Sequence, residues 1–231
     1  MTRWIWRLAL VLIAVVAVCA QLDRASYLRP ELAIVVPKPF RSFAQPTTAL
    51  LALATGNTSD AQIETRRLVR RRPIPAEHLF TLAMGELRAG NPRAFAKAFR
   101  VASTRGWRFP PLQVAAAQAA LANGDVKGAA NRVAALWAQN PANPSVEPLT
   151  KALLAAPGGP EAFAVPLANT HVWSDNFVSR AASFASPANA VLTVATARRA
   201  GGQFDCRALE RFDRSLAVRG EAFPPQASAC R

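Results

Sequence analysis

The chain is poor in the residues that most enzymes use for catalysis. Its 231 residues include two histidines and 14 acidic residues, against 28 lysines and arginines. The acidic residues are scattered, and neither an HExxH sequence nor a glycine-rich phosphate loop occurs. We therefore expect no metal site, no cofactor and no enzymatic activity.

One short segment holds the residue types of a nucleophilic triad, His171, Ser174 and Asp175. Because these residues lie so close along the chain, we interpret the hydroxyl and the carboxylate as caps of a helix that starts near Asn176. The segment does not change the prediction of a non-enzymatic protein.

Cysteine is scarce as well. Of the three cysteines, Cys19 lies in an apolar amino-terminal run, which leaves Cys206 and Cys230. Neither has the close second cysteine of a metal site or a CxxC redox motif. In an oxidising compartment the two predict one disulfide that closes a loop of about 25 residues. The alternative is a buried thiol at Cys206 and a free thiol in the tail.

Long apolar runs are missing after residue 22, where nothing approaches the roughly 20 residues needed to cross a bilayer. Before it, Arg3 and Arg7 precede an apolar core at residues 8–20, a pattern typical of a secretion signal. The alternative is a retained membrane anchor, since residues 4–22 form about 28 Å of helix with tryptophans at its start.

The same basic residues predict the orientation of the chain. Arg3 and Arg7 hold the short leading end in the cytoplasm, so the rest of the chain passes across the inner membrane. We therefore predict a periplasmic location, with residues 4–22 either removed or retained as an inner-membrane anchor. Arg24, Arg29, Lys38 and Arg41 follow the apolar segment, and an inverted insertion with a cytoplasmic domain is the alternative.

Alternating strand patterns are also missing, which argues against a β fold. What recurs is glycine: Gly56, Gly90, Gly124 and Gly158 stand 34 residues apart. Each of the first three closes an apolar helical segment, where glycine often adopts a left-handed conformation. A polar residue that can cap the next helix follows each of them: Asn57, Asn91 and Asp125.

This period resembles the tetratricopeptide repeat (TPR) family over about residues 42–158. Three units, residues 42–75, 76–109 and 110–143, carry small residues in their first helices, and the outer units have Ala61 and Ala129 at the family's alanine position. The middle unit departs with Phe95 there and with Trp107 in place of the terminal proline. The resemblance implies antiparallel helix pairs and a protein-binding face lined by the first helix of each unit.

We expect an all-α fold, a TPR-like α-solenoid with a divergent carboxyl-terminal helical cap. Gly158 and Pro166 indicate a degenerate unit, and helices are predicted at 177–185, 188–200 and 206–217, the last two forming a hairpin at Gly201 and Gly202. The predicted segments are a signal or anchor at 1–22, an extended proline-containing linker at 23–46, repeats at 47–143, a degenerate repeat and cap at 144–219, and a tail at 220–231.

The net charge of +14 would ordinarily suggest nucleic acid, but predicted export argues against that partner. Five arginines lie within seven residues: Arg66, Arg67, Arg70, Arg71 and Arg72. Cations near the carboxyl end of a helix interact favourably with the helix dipole, which accounts for part of this cluster. Five arginines are more than the dipole requires, which suggests that the cluster contacts anionic lipid or acidic envelope polysaccharide. The alternative is that the arginines form a merely solvated face.

A second candidate site joins the second and third units at Arg105, Trp107, Arg108 and Phe109. These planar, cationic and aromatic side chains suit a peptide or a sugar, although an inter-repeat tryptophan often fills a packing gap instead. Our leading hypothesis is an adaptor for an envelope protein, with assembly or polysaccharide-export machinery as the expected partner by analogy with the family. The second is an arginine-rich module that binds anionic glycan or lipid.

Overall fold

The computed structural model describes residues 2–223 and contains only helices, turns and irregular segments in that range. The α-helices are α1 (Thr2–Ala25), α2 (Ala44–Thr55), α3 (Thr58–Arg71), α4 (Ala76–Arg88), α5 (Pro92–Arg105), α6 (Pro110–Ala122), α7 (Val126–Gln139), α8 (Val146–Ala155), α9 (Gly159–Ala168), α10 (Ser174–Phe184), α11 (Pro187–Arg199) and α12 (Cys206–Ala217). The predicted all-α, TPR-like fold is confirmed, and each 34-residue unit contains one helix pair.

The chain forms two compact units, Met1–Gly106 and Trp107–Arg231. In the first unit, α2 packs on α3, α3 on α4 and α4 on α5, and α2 also contacts α4. The short turns within each pair make its two helices antiparallel. Contact between the first helices of successive pairs is the arrangement expected of stacked helical repeats.

The second unit begins with two more pairs, α6 with α7 and α8 with α9, in which α7 also contacts α9 and α6 contacts α8. Its core contains the fully buried rings of Trp137, Phe163, Phe177 and Phe212. The predicted carboxyl-terminal hairpin is wrong in its pairing. α11 packs mainly on α9, and α12 packs mainly on α10. The reason is that the apolar faces of α11 and α12 both contribute to the shared core of the second unit instead of packing on each other.

Two glycines of the 34-residue series close their helices in the same way. Gly90 and Gly124 have φ of +71° and +72°, and their amides donate to the carbonyls of Leu87 and Leu121. The next amide in each case donates one residue further back, which completes a Schellman motif. Glycine is favoured here because a Cβ resists this left-handed conformation.

The two outer glycines differ from this pattern. Gly158 also has a positive φ, +74°, but it precedes α9 instead of closing α8. α9 then runs through Pro166 to Ala168, so the proline does not stop it at once. Gly56, whose sequence surroundings match those of Gly90, has φ of −75° and no left-handed turn.

The segment between α1 and α2 is more compact than an extended linker. Pro30–Ile34 and Lys38–Phe40 form short 3-10 helices, and Ala33, Val36 and Ala44 pack together in a small core. The Asp23 carboxylate, at the end of α1, accepts hydrogen bonds from the amides of Ser42, Phe43 and Ala44 at 2.9 to 3.0 Å. The end of α1 is therefore joined to the start of α2. The other predicted segment boundaries stay predictions.

Candidate functional site

The first helices of the second unit form a cleft between α6 and α8. It has a volume of about 480 Å³, and Gln118 and Leu121 of α6 face Pro148 and Ala152 of α8 across it. Three of these four side chains are apolar. A cleft of this size lies in the range that binds small ligands and the side chains of partner proteins.

The first helices of the first unit also expose apolar side chains. Leu50 of α2 and Leu87 of α4 are both about half exposed. Leu87 stands 34 residues before Leu121, and Leu50 stands 34 residues before Met84. First helices of the first unit thus leave apolar side chains at the surface, and the protein-binding role of the first helices stays a prediction.

A second, larger cleft of about 710 Å³ lies on the second helices of the second unit. Asp125 and Lys127, at the start of α7, form one side, and Glu161 and Val165 of α9 form the other. The Asp125 carboxylate is engaged in capping α7 through the Gly128 amide. Its lining includes the charged side chains of Asp125, Lys127 and Glu161, and the sequence gave no indication of it.

Most of the arginine-rich segment is engaged within the first unit. Arg66 forms a bidentate ion pair with Glu86, and Arg67 pairs with Glu64. Arg71 donates to the Lys38 carbonyl at 2.8 Å, and the guanidinium carbon of Arg72 lies 5.7 Å from the centre of the Phe43 ring. The side chain of Arg70 is exposed and makes no hydrogen bond or ion pair with residues 2–223. A partner-binding role for these five arginines stays a prediction.

Glu86 is the centre of a small polar network between the helix pairs. Its side chain is only 4% exposed, and it accepts hydrogen bonds from Gln62 and Asn91 in addition to Arg66. The bonds from Arg66, helped by those from the two amides, hold the pKa of Glu86 below its ordinary value. Asn91 uses its amide here and does not cap α5, contrary to expectation.

The second predicted cluster is divided between the units. Arg105 ends α5 in the first unit, while Trp107, Arg108 and Phe109 precede α6 in the second. Arg132 of α7 lies over the Trp107 ring with its guanidinium carbon 3.8 Å from the ring centre. Burial lowers the pKa of Arg132. Trp107 therefore has a packing partner in its own unit, and its role in binding stays a prediction.

The triad residues are not joined by hydrogen bonds within the described part of the chain. Asp175 accepts a hydrogen bond from the Asp205 amide, and the hydroxyl of fully buried Ser174 has no partner among residues 2–223. α10 starts at Ser174, two residues before the predicted position, and no side chain caps it. The predicted capping role of Ser174 is therefore wrong.

Two further predictions concern cysteines and metals. Cys206 opens α12, but Cys230 lies outside the described residues, so their disulfide stays a prediction. Within residues 2–223, no group of three histidine, cysteine or acidic side chains is arranged to hold a metal ion.

α1 is long and apolar enough to cross a membrane. Its side chains are exposed on every side over most of its length, because it packs on the rest of the unit only near its end. A secretion signal at the start of a chain meets the same criteria of length and composition.

Comparison with protein-family models finds no match, and comparison with curated proteins finds none. Among solved structures, the chain is similar to one described as the functional characterization of Pseudomonas aeruginosa pilF. The two share 15% sequence identity with a TM-score of 0.41, over 80% of this chain and 86% of the other. Similarity at this level carries no inference about function.

Proposed function

We propose that this protein is a non-enzymatic scaffold of the bacterial envelope that binds a protein partner on the first-helix face. The observation that carries the proposal is the mainly apolar cleft between α6 and α8 in the second unit, and the first unit separately exposes Leu50 and Leu87 on its own first helices. An apolar cleft of this kind is typical of protein-interaction sites.

We further propose that the chain is exported and that α1 remains as its inner-membrane anchor. The contacts of Asp23 with the start of α2 support retention, because they make the end of α1 part of the folded unit. By analogy with TPR-like envelope proteins, the partner belongs to assembly or secretion machinery, including polysaccharide export.

Direct binding of acidic glycan by residues 66–72 has less support. Four of the five guanidinium groups in that segment already contact a side chain or a carbonyl in the first unit. Those contacts leave Arg70 as the exposed cation without such a partner among the described residues.

Site-specific photo-crosslinking in envelope membranes tests the adaptor proposal. A photoreactive residue replaces Gln118 in the α6–α8 cleft, Lys127 in the larger cleft, or exposed Arg93 on α5 as a control. We expect one envelope protein to be captured from position 118 and from neither of the others. Capture from position 127 instead would place the site on the second helices, and recovery of only lipid or glycan would contradict the adaptor function.

A matched pair of variants confirms that the captured protein occupies the cleft. Ala152→Arg fills the α6–α8 cleft from an exposed position, so capture from position 118 should be lost while the fold is kept. Ala142→Arg adds the same side chain to an exposed turn and should leave capture unchanged. Capture should also persist in high salt, because an apolar contact is weakly screened.

A further inference from the structure

The segment from the last two residues of α1 to Arg41 exposes apolar side chains on the surface of the first unit. We name residues 24–41 the collar. Leu28, Ile34 and Val35 are 82%, 63% and 61% exposed, whereas Ala33 and Val36 in the same turn are fully buried. One turn therefore directs two apolar side chains into the protein and two into the surroundings. The exposed pair does not result from a failure of the segment to fold.

Basic side chains lie close to these apolar residues along the chain. Arg24, Arg29 and Lys38 are exposed, and none of them makes a hydrogen bond or ion pair through its side chain within residues 2–223. Arg71 adds a further cation, because its guanidinium binds the carbonyl of Lys38. Glu31 is the exposed acidic residue of the collar. Apolar and basic side chains mixed in this way are typical of protein segments that lie in the headgroup layer of a membrane.

The position of the collar relative to α1 is fixed by contacts. Asp23 joins the last turn of α1 to the amides of Ser42 and Ala44, and Leu22 packs on the small core beneath the collar. The collar therefore begins where the apolar part of α1 ends. If α1 crosses a bilayer, its carboxyl end lies at the membrane surface, and the collar lies at the same depth.

We propose that the collar is a membrane-surface contact that binds anionic phospholipid in the bilayer holding α1. Leu28, Ile34 and Val35 insert beside the upper ends of the acyl chains, and Arg24, Arg29 and Lys38 contact lipid phosphates. The inference rests on the proposed anchoring by α1. It is independent of the partner bound on the first-helix face.

Chemical modification of lysine tests the collar in the full-length protein. The four lysines, Lys38, Lys97, Lys127 and Lys151, are all exposed, and only Lys38 lies in the collar. Reductive methylation with formaldehyde is followed by mass spectrometry in detergent, in phosphatidylcholine nanodiscs, and in nanodiscs that also contain phosphatidylglycerol. We expect the Lys38 rate to fall about fivefold in anionic discs relative to detergent, while the other three rates stay constant.

Charge and apolar variants each have a matched control. Arg24→Gln with Arg29→Gln should restore Lys38 methylation in anionic discs, whereas Arg93→Gln with Arg100→Gln, on exposed α5 positions, should not. Ile34→Ser with Val35→Ser should restore it in part, whereas Val172→Ser with Val218→Ser, on similarly exposed positions, should not.

Three outcomes overturn the proposal in distinguishable ways. Equal Lys38 rates in detergent and in anionic discs, with the protein comigrating with the discs, would refute the collar and leave the anchor intact. Failure of the chain to comigrate would refute the anchor and the collar with it. Protection of Lys38 in detergent by a soluble acidic polysaccharide, to the same extent as in anionic discs, would replace lipid with glycan as the ligand. None of these outcomes bears on photo-crosslinking from position 118.

Discussion

Glu86 connects the arginine-rich segment to the second helix pair, since its buried carboxylate accepts bonds from Arg66, Gln62 and Asn91. Replacing it with glutamine would exchange charge-assisted bonds for neutral ones and place an amide group against a guanidinium. We expect Glu86→Gln to lower the free energy of unfolding at neutral pH by about 1–3 kcal/mol. Denaturant unfolding of the full-length protein in detergent would measure this change.

The effect of Glu86 should depend on pH. Its pKa is lowered from an ordinary value near 4.5, chiefly by the bonds from Arg66. Its contribution to stability is therefore present above that ordinary value and is lost as the pH falls through the lower native pKa. The difference between wild type and Glu86→Gln should shrink in acid, while exposed Glu210→Gln should have little effect at either pH. An equal deficit at both pH values would contradict this account.

Gly90 and Gly124 test the role of backbone conformation. A Cβ at either position would have open space around it, so any cost of substitution comes from the positive φ alone. We expect Gly90→Ala and Gly124→Ala each to lower the free energy of unfolding by about 1–2 kcal/mol, and Gly90→Asn to cost less. Denaturant unfolding measures these values, and an alanine variant as stable as wild type would show that the turn relaxes to another conformation.

Among the helical elements, the attachment of α1 depends on one carboxylate. Asp23 accepts hydrogen bonds from three successive amides at the start of α2. A capping residue does the same for the helix that directly follows it, whereas Asp23 belongs to a different helix. We expect Asp23→Ala to lower the free energy of unfolding by about 1–2 kcal/mol and to speed hydrogen exchange at the Ser42, Phe43 and Ala44 amides. Exposed Asp213→Ala is the control, and unchanged exchange at these amides would show that other contacts hold the two helices together.

Sequence periodicity predicts the helices well because repeated local features specify them. Apolar spacing and turn residues locate α10, α11 and α12 to within three residues at each end. The same features do not predict which helices pack together. The packing partners of α11 and α12 are determined by a core that residues distant in the sequence form. Similar local sequence also fails to predict the conformation of Gly56, which lacks the left-handed turn of Gly90.

The site residues were harder to predict for the same reason. The cluster at residues 66–72 is conspicuous in the sequence, but its partners Glu86, Lys38 and Phe43 lie 20 or more residues away along the chain. The cleft between α6 and α8 has no sequence motif, because it is formed by the spacing of two helices. The partners of the arginine cluster and the position of the cleft can therefore be found only from the tertiary structure.

For the whole molecule, a net charge of +14 has consequences that depend on which side of the membrane the helical units occupy. Basic residues flank α1 at both ends, with Arg3 and Arg7 before its apolar core and Arg24 and Arg29 after it. In the collar, Arg24 and Arg29 would contact lipid on the side of the membrane where the helical units lie. Orientation is therefore the property on which the envelope function depends.

We expect the units to lie on the periplasmic side, because Arg3 and Arg7 hold the short leading end of α1 in the cytoplasm. Alkaline phosphatase fused after Phe223 should be active in intact cells, and a fluorescent protein that folds only in the cytoplasm should be dark at the same position. Arg3→Glu with Arg7→Glu should reduce phosphatase activity by leaving Arg24 and Arg29 as the main cytoplasmic determinants. Arg93→Glu with Arg100→Glu changes the total charge equally and should have no such effect. A fluorescent wild-type fusion would place the units in the cytoplasm and refute the envelope function.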